Sequence, residues 1–178
     1  EGMGIKIDDK KYLFHIQGKN TSYIMQVLEG GYLAHLYYGS RVNEYRGSNK
    51  IIYLDRGFSP NPYDKDRTFS LDTIPQEYQG FGNGDFRVPA YQVKLENGTR
   101  ISDLRYSGYK VFKGKRGLVG LPSTYGNDDE CDTLEIYLED KIIGLKVILT
   151  YSVFNELDVI TRSVKFINEG AEDLRLLR

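Results

Sequence analysis

Tryptophan is missing altogether, cysteine occurs once and histidine twice. No stretch of about 18 apolar residues could cross a bilayer as a helix. The single cysteine, Cys131, excludes an internal disulfide. With no basic-then-apolar leader at the start, it points to a reducing, cytoplasmic setting. The net charge of −1, from 24 basic and 25 acidic residues, gives no electrostatic case for nucleic acid or for an anionic membrane surface. His15 and His35 both lie within alternating strand runs, and no cysteine or carboxylate cluster sits at metal-ligand spacing, so neither a metal nor a cofactor is expected. Nowhere do apolar residues hold a 3.6-residue period for three turns, which speaks against an amphipathic helix.

What is present is alternation. The chain has 178 residues, enough for one domain with a real core, and it carries 15 tyrosines and 8 phenylalanines. Tyr12 to Ile16 alternates before a turn at Gly18-Lys19-Asn20, and Tyr23–Leu28 and Tyr32–Tyr38 flank Glu29-Gly30-Gly31 as a hairpin. Ile51–Leu54 is a short apolar run. Tyr91 to Leu95 alternates into Asn97-Gly98, the strongest short hairpin signal because a type I′ turn needs positive φ at both central residues. Gly108 to Gly126 reads as a short strand and then a loop. Leu134, Ile136 and Leu138 share one face, and Leu145 to Val153 and Ile160, Val164 and Phe166 repeat the pattern. Asp140-Lys141, Asn155-Glu156 and Asn168-Glu169-Gly170 supply the turns between them. Period-two alternation at this spacing predicts an all-β, antiparallel sandwich or barrel over residues 1–178. The closing Leu174–Leu177 starts a further apolar run, so the chain reads as part of a longer one. A sandwich cut there is expected to leave the face of Ile160, Val164 and Phe166 uncovered and prone to self-association.

One stretch breaks the pattern. Residues 54–90 hold four of the five prolines and no sustained alternation. Loops beyond about 12–15 residues are usually functional or disordered. Disorder fits poorly with Phe58, Tyr63, Phe69, Tyr78, Phe81 and Phe86, so the stretch is expected to be ordered, with polar groups presented from an aromatic-anchored base. Gly80-Phe81-Gly82-Asn83-Gly84 lacks the strand before and helix after that a phosphate-binding loop requires, and reads as a turn. The two histidines read as hydrogen-bonded sheet residues. Cys131, between acidic neighbours, should have a raised thiol pKa and be a poor nucleophile. Lys110, Lys113, Lys115 and Arg116 read as a solvated loop. Within residues 54–90, Asp55, Asp64, Asp66, Asp72, Glu77 and Asp85 alternate with Arg56, Arg67 and Arg87. Such a mixture serves either as salt-bridged scaffolding or as a sugar site, where hydroxyls donate to carboxylates and accept from guanidinium groups.

The segments LDRGFSP, DRTFSLDT, GNGDFRVPAYQV, YQVKLENGTRISDLRY, GLPSTY and ITRSVKFINEG, in that order, resemble the N-terminal domain of bacterial α-galactosidases of glycoside hydrolase family 36. The resemblance implies a supersandwich-like domain, truncated at its C-terminal end, ahead of a catalytic (β/α)8 barrel that this chain does not contain. The family's nucleophile sits in a Lys-Trp-Asp context, and a chain without tryptophan has no such motif. It implies no catalytic residue here, and an isolated chain without activity. It also implies a parent enzyme that releases terminal galactose from raffinose-type oligosaccharides and melibiose. The family's sugar-contacting aspartate of LDRG and arginine of DRTFSLDT fall on Asp55 and Arg67. Implied partners are galactosides, the chain's own barrel and neighbouring subunits of a homo-oligomer, a tetramer by resemblance. The residues alone leave a free-standing carbohydrate-binding module or a protein-interaction sandwich as alternatives.

Overall fold

The computed structural model describes residues 4–47, 51, 53–63, 65–82, 84–117, 127, 129–154 and 156–177. Ile52, Asp64, Asn83, Asn155 and the GLPSTY segment, each used above, lie outside the described residues. Ten strands are present among the described residues: β1 (Gly4–Asp8), β2 (Leu13–Gln17), β3 (Thr21–Val27), β4 (Leu33–Ser40), β5 (Val93–Leu95), β6 (Arg105–Lys113), β7 (Cys131–Asp140), β8 (Leu145–Phe154), β9 (Val159–Asn168) and β10 (Leu174–Leu176). The only helical segment among the described residues is a single 3-10 turn, Glu29–Gly31. None of the described residues forms a helix long and apolar enough to cross a membrane.

Two antiparallel meanders, β1-β2-β3-β4 and β6-β7-β8-β9, make the sandwich, with β5 and β10 as a small third pair. Phe14, Ile16, Met25 and Leu33 of the first sheet share one core with Leu134, Ile136 and Leu138 of β7 and Leu145, Val147, Leu149, Tyr151 and Val153 of β8. Each such side chain contributes about 1.5–3 kcal/mol on full burial. On β7 and β8 the predicted alternation is real, since the inward residues are buried and Glu135, Tyr137, Lys146 and Thr150 are half-exposed.

Several expectations need correction. β2 does not alternate, because all five of its residues are buried. Its outer face is covered by the segment after β4: Gln17 Nε2 donates to the carbonyl of Val42 at 2.7 Å, and the Val42 N–H donates to Ser22 Oγ at 3.0 Å. Asn97-Gly98 turns the chain, but not as the expected type I′ turn: only Gly98 takes positive φ, at 85°, its N–H donates to the Leu95 carbonyl at 3.0 Å, and no strand returns from it to pair with β5 among the described residues. β5 pairs instead with β10, Val93 opposite Leu176. β6 is a full nine-residue strand carrying Lys110 and Lys113, not a short strand before a basic loop. Lys113 Nζ pairs with Asp132 at 2.6 Å, and the Arg116 guanidinium lies 5.0 Å from the Phe112 ring centre. The face of Ile160, Val164 and Phe166 is not bare. All three pack against the main core, and the Phe166 ring lies 5.9 Å from that of Tyr91.

The irregular stretch is ordered and has its own small core of Tyr32, Phe69, Leu71 and Ile74, joined by Tyr63 and Ile51. It also runs beside β4: the His35 N–H donates to the Pro75 carbonyl at 2.7 Å, and the Glu77 N–H donates to the Leu33 carbonyl at 2.9 Å. Phe69 and Tyr63 are thus among the anchoring aromatics expected of it, but Phe58 and Phe86 are not, being fully exposed.

Candidate functional site

Most charges of the 54–90 stretch are spent on the protein itself. Glu77 is the clearest case. Its Oε1 accepts from the Tyr23 hydroxyl at 2.6 Å and the Tyr151 hydroxyl at 2.7 Å, with Arg162 Nη1 at 3.3 Å. His35 Nδ1 lies 3.2 Å from Oε2. Burial pushes the Glu77 carboxyl upward, yet the contacts from His35, Tyr23 and Tyr151 and the charge of Arg162 outweigh it and hold the group below the usual carboxylate range. Those partners come from β3, β4, β8 and β9, so one carboxylate pins the loop to both sheets.

Asp85 and Arg87 form a second fixture. Arg87 Nη2 donates to Asp85 Oδ2 at 2.6 Å and to the Leu71 carbonyl at 2.8 Å, and its Nη1 donates to the Ile74 carbonyl at 3.0 Å. Arg56 Nη2 reaches both oxygens of Asp72, at 2.7 and 2.8 Å, and Ser70 Oγ donates to the same carboxylate. Asp66 Oδ1 accepts the N–H of Thr68 at 2.9 Å and its hydroxyl at 2.6 Å, an Asx turn around Arg67.

Asp55 and Arg67 behave differently. The fold brings them together, with Arg67 Nη2 at 3.3 Å from Asp55 Oδ1, although twelve positions separate them in the chain. Their side chains stay 59% and 61% exposed, respectively. An ion pair in that setting contributes only about 0–1 kcal/mol to stability. A carboxylate has about four lone-pair sites and a guanidinium five N–H donors. Among the described residues this contact is the one recorded for either side chain, so most of that capacity faces solvent. Chemically the pair can accept from one sugar hydroxyl and donate to its neighbour at the same time. One cavity beneath the loop, bounded by Tyr32, Gln76, Gly80, Asp85, Tyr91 and Ser102, has a volume of about 20 Å³, room for one water but not for a sugar ring, and a larger, open one of about 230 Å³ lies against Pro60, Asn61, Pro62, Asp103 and Arg105.

The other singled-out residues are structural. His15 Nε2 lies 2.9 Å from Ser22 Oγ, and burial, aided by Lys6 and Arg41, lowers its pKa to about 4. The Cys131 thiol is raised as expected, but burial is the leading cause, ahead of its acidic neighbours. Gly82 and Gly84, at φ 101° and 73°, make the expected turn, closed by the Asp85 N–H on the Gly82 carbonyl at 3.2 Å. Sequence reasoning passed over Asn61, whose Nδ2 donates to the carbonyls of Arg67 at 2.7 Å and Phe69 at 2.8 Å. The Asn-Pro step after Ser59-Pro60 marks a turn, but nothing local shows which carbonyls it reaches.

Comparison with known proteins adds the following. A family model described as "Glycosyl hydrolase family 36 N-terminal domain" matches residues 31–178. The chain is 50% identical over 177 residues to the α-galactosidase AgaA of Geobacillus stearothermophilus, covering 99% of this chain and 24% of that protein. It is 42% identical over 174 residues to the α-galactosidase Mel36A of Lactobacillus acidophilus, covering 97% of this chain and 24% of that protein. The crystal structure of the family 36 α-galactosidase AgaB from G. stearothermophilus superposes with a TM-score of 0.91 at 51% identity, over 99% of this chain and 24% of that one. A variant of AgaA crystallised in complex with raffinose superposes with a TM-score of 0.89 at 53% identity, over 93% of this chain and 23% of that one. The chain therefore spans about a quarter of the length of the relatives it matches.

Proposed function

The chain belongs to the glycosyl hydrolase family 36 N-terminal domains, and from that premise we propose that it is the non-catalytic N-terminal β-sandwich, or most of it, of an α-galactosidase. The parent enzyme releases terminal α-linked galactose from oligosaccharides such as raffinose and melibiose. It does so by a retaining mechanism whose two aspartates lie in a barrel outside this chain. The enzyme is cytoplasmic and a homo-oligomer, a tetramer on the family's pattern. In it the 54–90 stretch of one subunit reaches the active site of a neighbour, where Asp55 and Arg67 contact the terminal sugar.

The observation that carries this reading is the exposed Asp55–Arg67 pair at 3.3 Å, on a loop where Arg56, Asp66, Asp72, Glu77, Asp85 and Arg87 are engaged by the protein itself. A pair worth so little to stability is well suited to a ligand. Its exposure to solvent fits a role completed by another part of the enzyme.

The test uses Asp55→Asn and Arg67→Lys in the full-length enzyme. Each keeps the size of the side chain while removing its charge or its bidentate geometry. Losing a hydrogen bond to a charged group costs about 1.5–3 kcal/mol, roughly a 10- to 150-fold loss of affinity. The expected result is a fall in kcat/KM of about ten-fold or more with raffinose while Tm stays nearly constant. Unfolded variants, or kcat/KM unchanged, would assign the pair to scaffolding.

A further inference from the structure

We infer that Asn61 is the positioning residue for Arg67: its side-chain amide holds the backbone from which the guanidinium projects toward the sugar. The inference rests on the reading of Asp55 and Arg67 given above. It adds a residue that touches neither the sugar nor the Arg67 side chain.

The geometry is specific to an amide. Asn61 Nδ2 carries two hydrogens, and its two partners, the carbonyls of Arg67 and Phe69, can only accept. Those partners also fix which way the amide points. Asp lacks a donor at this position, and Ser has only one. Asn61 is itself held, since its N–H donates to the Ser59 carbonyl at 2.9 Å and the Leu71 N–H donates to the adjacent Pro60 carbonyl at 3.1 Å. The loop limb of residues 59–61 is therefore tied to residues 67–71 at three points.

Arg67 sits between two further restraints. Behind it, Asp66 closes the Asx turn on Thr68. Ahead of it, Phe69 is 2% exposed, with the rings of Tyr63 and Tyr53 centred 5.4 and 6.1 Å away. Between them the Arg67 carbonyl takes the shortest of the two Asn61 bonds. Without it, residues 66–68 remain attached through Phe69 alone on that side. The peptide joining Arg67 to Thr68 then keeps only its N–H anchored, by Asp66, and its loosened carbonyl end lets a long side chain shift that Asp55 restrains only weakly at 3.3 Å.

The experiment is a double-mutant cycle in the full-length enzyme with raffinose as substrate, combining Asn61→Ala with Arg67→Ala. Misplacing a binding group by about 1 Å costs up to about 100-fold, so Asn61→Ala alone should raise KM about ten-fold with kcat nearly unchanged. In the Arg67→Ala background it should change KM by less than about two-fold, because the group it positions is gone. Asn61→Ser, which keeps one donor, should fall between wild type and alanine and carries the test if the alanine variant does not fold. If the two single effects multiply in the double variant, or if kcat falls together with Tm, Asn61 is general scaffolding and the inference is overturned. Failure of Asn61→Ser to fold overturns it for the same reason. An unchanged KM in Arg67→Ala alone would remove the sugar-contact reading and this inference with it, and is read from a separate arm of the cycle.

Discussion

Glu77 should be the most consequential carboxylate in the chain for stability, and Glu77→Gln is the change that isolates its charge. The glutamine keeps the shape and one carbonyl oxygen, so the Tyr23 and Tyr151 hydroxyls can still donate, but to a neutral acceptor. Hydrogen bonds to a charged partner are roughly twice as strong as neutral ones, and the difference is about 1 kcal/mol for each. The Arg162 contact adds little more than a surface pair, about 0–1 kcal/mol, because the Arg162 side chain is 36% exposed and can turn to water. The new amide NH2 must also find a place beside His35. The expected loss is about 2–4 kcal/mol, which for a domain of this size lowers Tm by roughly 5–15 °C.

The assay is urea and thermal unfolding followed by far-ultraviolet circular dichroism and by tyrosine fluorescence, which no tryptophan obscures. The pH dependence sharpens it. The folded Glu77 carboxyl lies below its ordinary value of 4.5, so its contribution is fully present above that value and is lost as the pH falls through the folded pKa. The gap between wild type and Glu77→Gln should accordingly be constant from pH 8 to about 5.5 and shrink below about 4.5. Asp66, held low by the Thr68 hydroxyl, and Asp158, held low by the Asn20 N–H, weaken both proteins in acid alike and cancel in the difference. A gap under about 0.5 kcal/mol at pH 7, or one that widens in acid, would refute the pinning role.

Two further outcomes are expected of the chain on its own. It should not hydrolyse p-nitrophenyl α-galactoside above background, and activity that copurifies and vanishes when one of its own carboxylates is changed would overturn the non-catalytic reading. Cys131, free and buried with its thiol pushed up by burial, should react with Ellman's reagent only as fast as the sheet opens. Modification of the native chain at the rate of the urea-unfolded one would contradict that burial.

How much of this could be read from sequence depended on how far away the partner of each residue lies. β7 and β8 were legible because one face meets a core and the other is partly open, so the alternation survives. β2 was misread as alternating because Arg41 and its successors cover its outer face, and β1 was missed because Ile5 and Ile7 give only two apolar positions ahead of Asp8-Asp9-Lys10-Lys11. Asn97-Gly98 encodes a turn truthfully, yet the strand that pairs with β5 comes from Leu174–Leu176. The charged loop followed the same rule. Spacing exposes Asp85 and Arg87, two residues apart, but Glu77 finds Tyr23, Tyr151 and Arg162 at separations of 54, 74 and 85 residues. Composition alone could not say which of these carboxylates was scaffolding. Geometry supplies the criterion, which is leftover bonding capacity. Glu77, Asp85 and Asp72 have their oxygens engaged by the protein, so a ligand hydroxyl would have to displace a bond already made. Asp55 keeps most of its acceptors toward water beside an arginine in the same state, and a sugar can replace that water without breaking the fold.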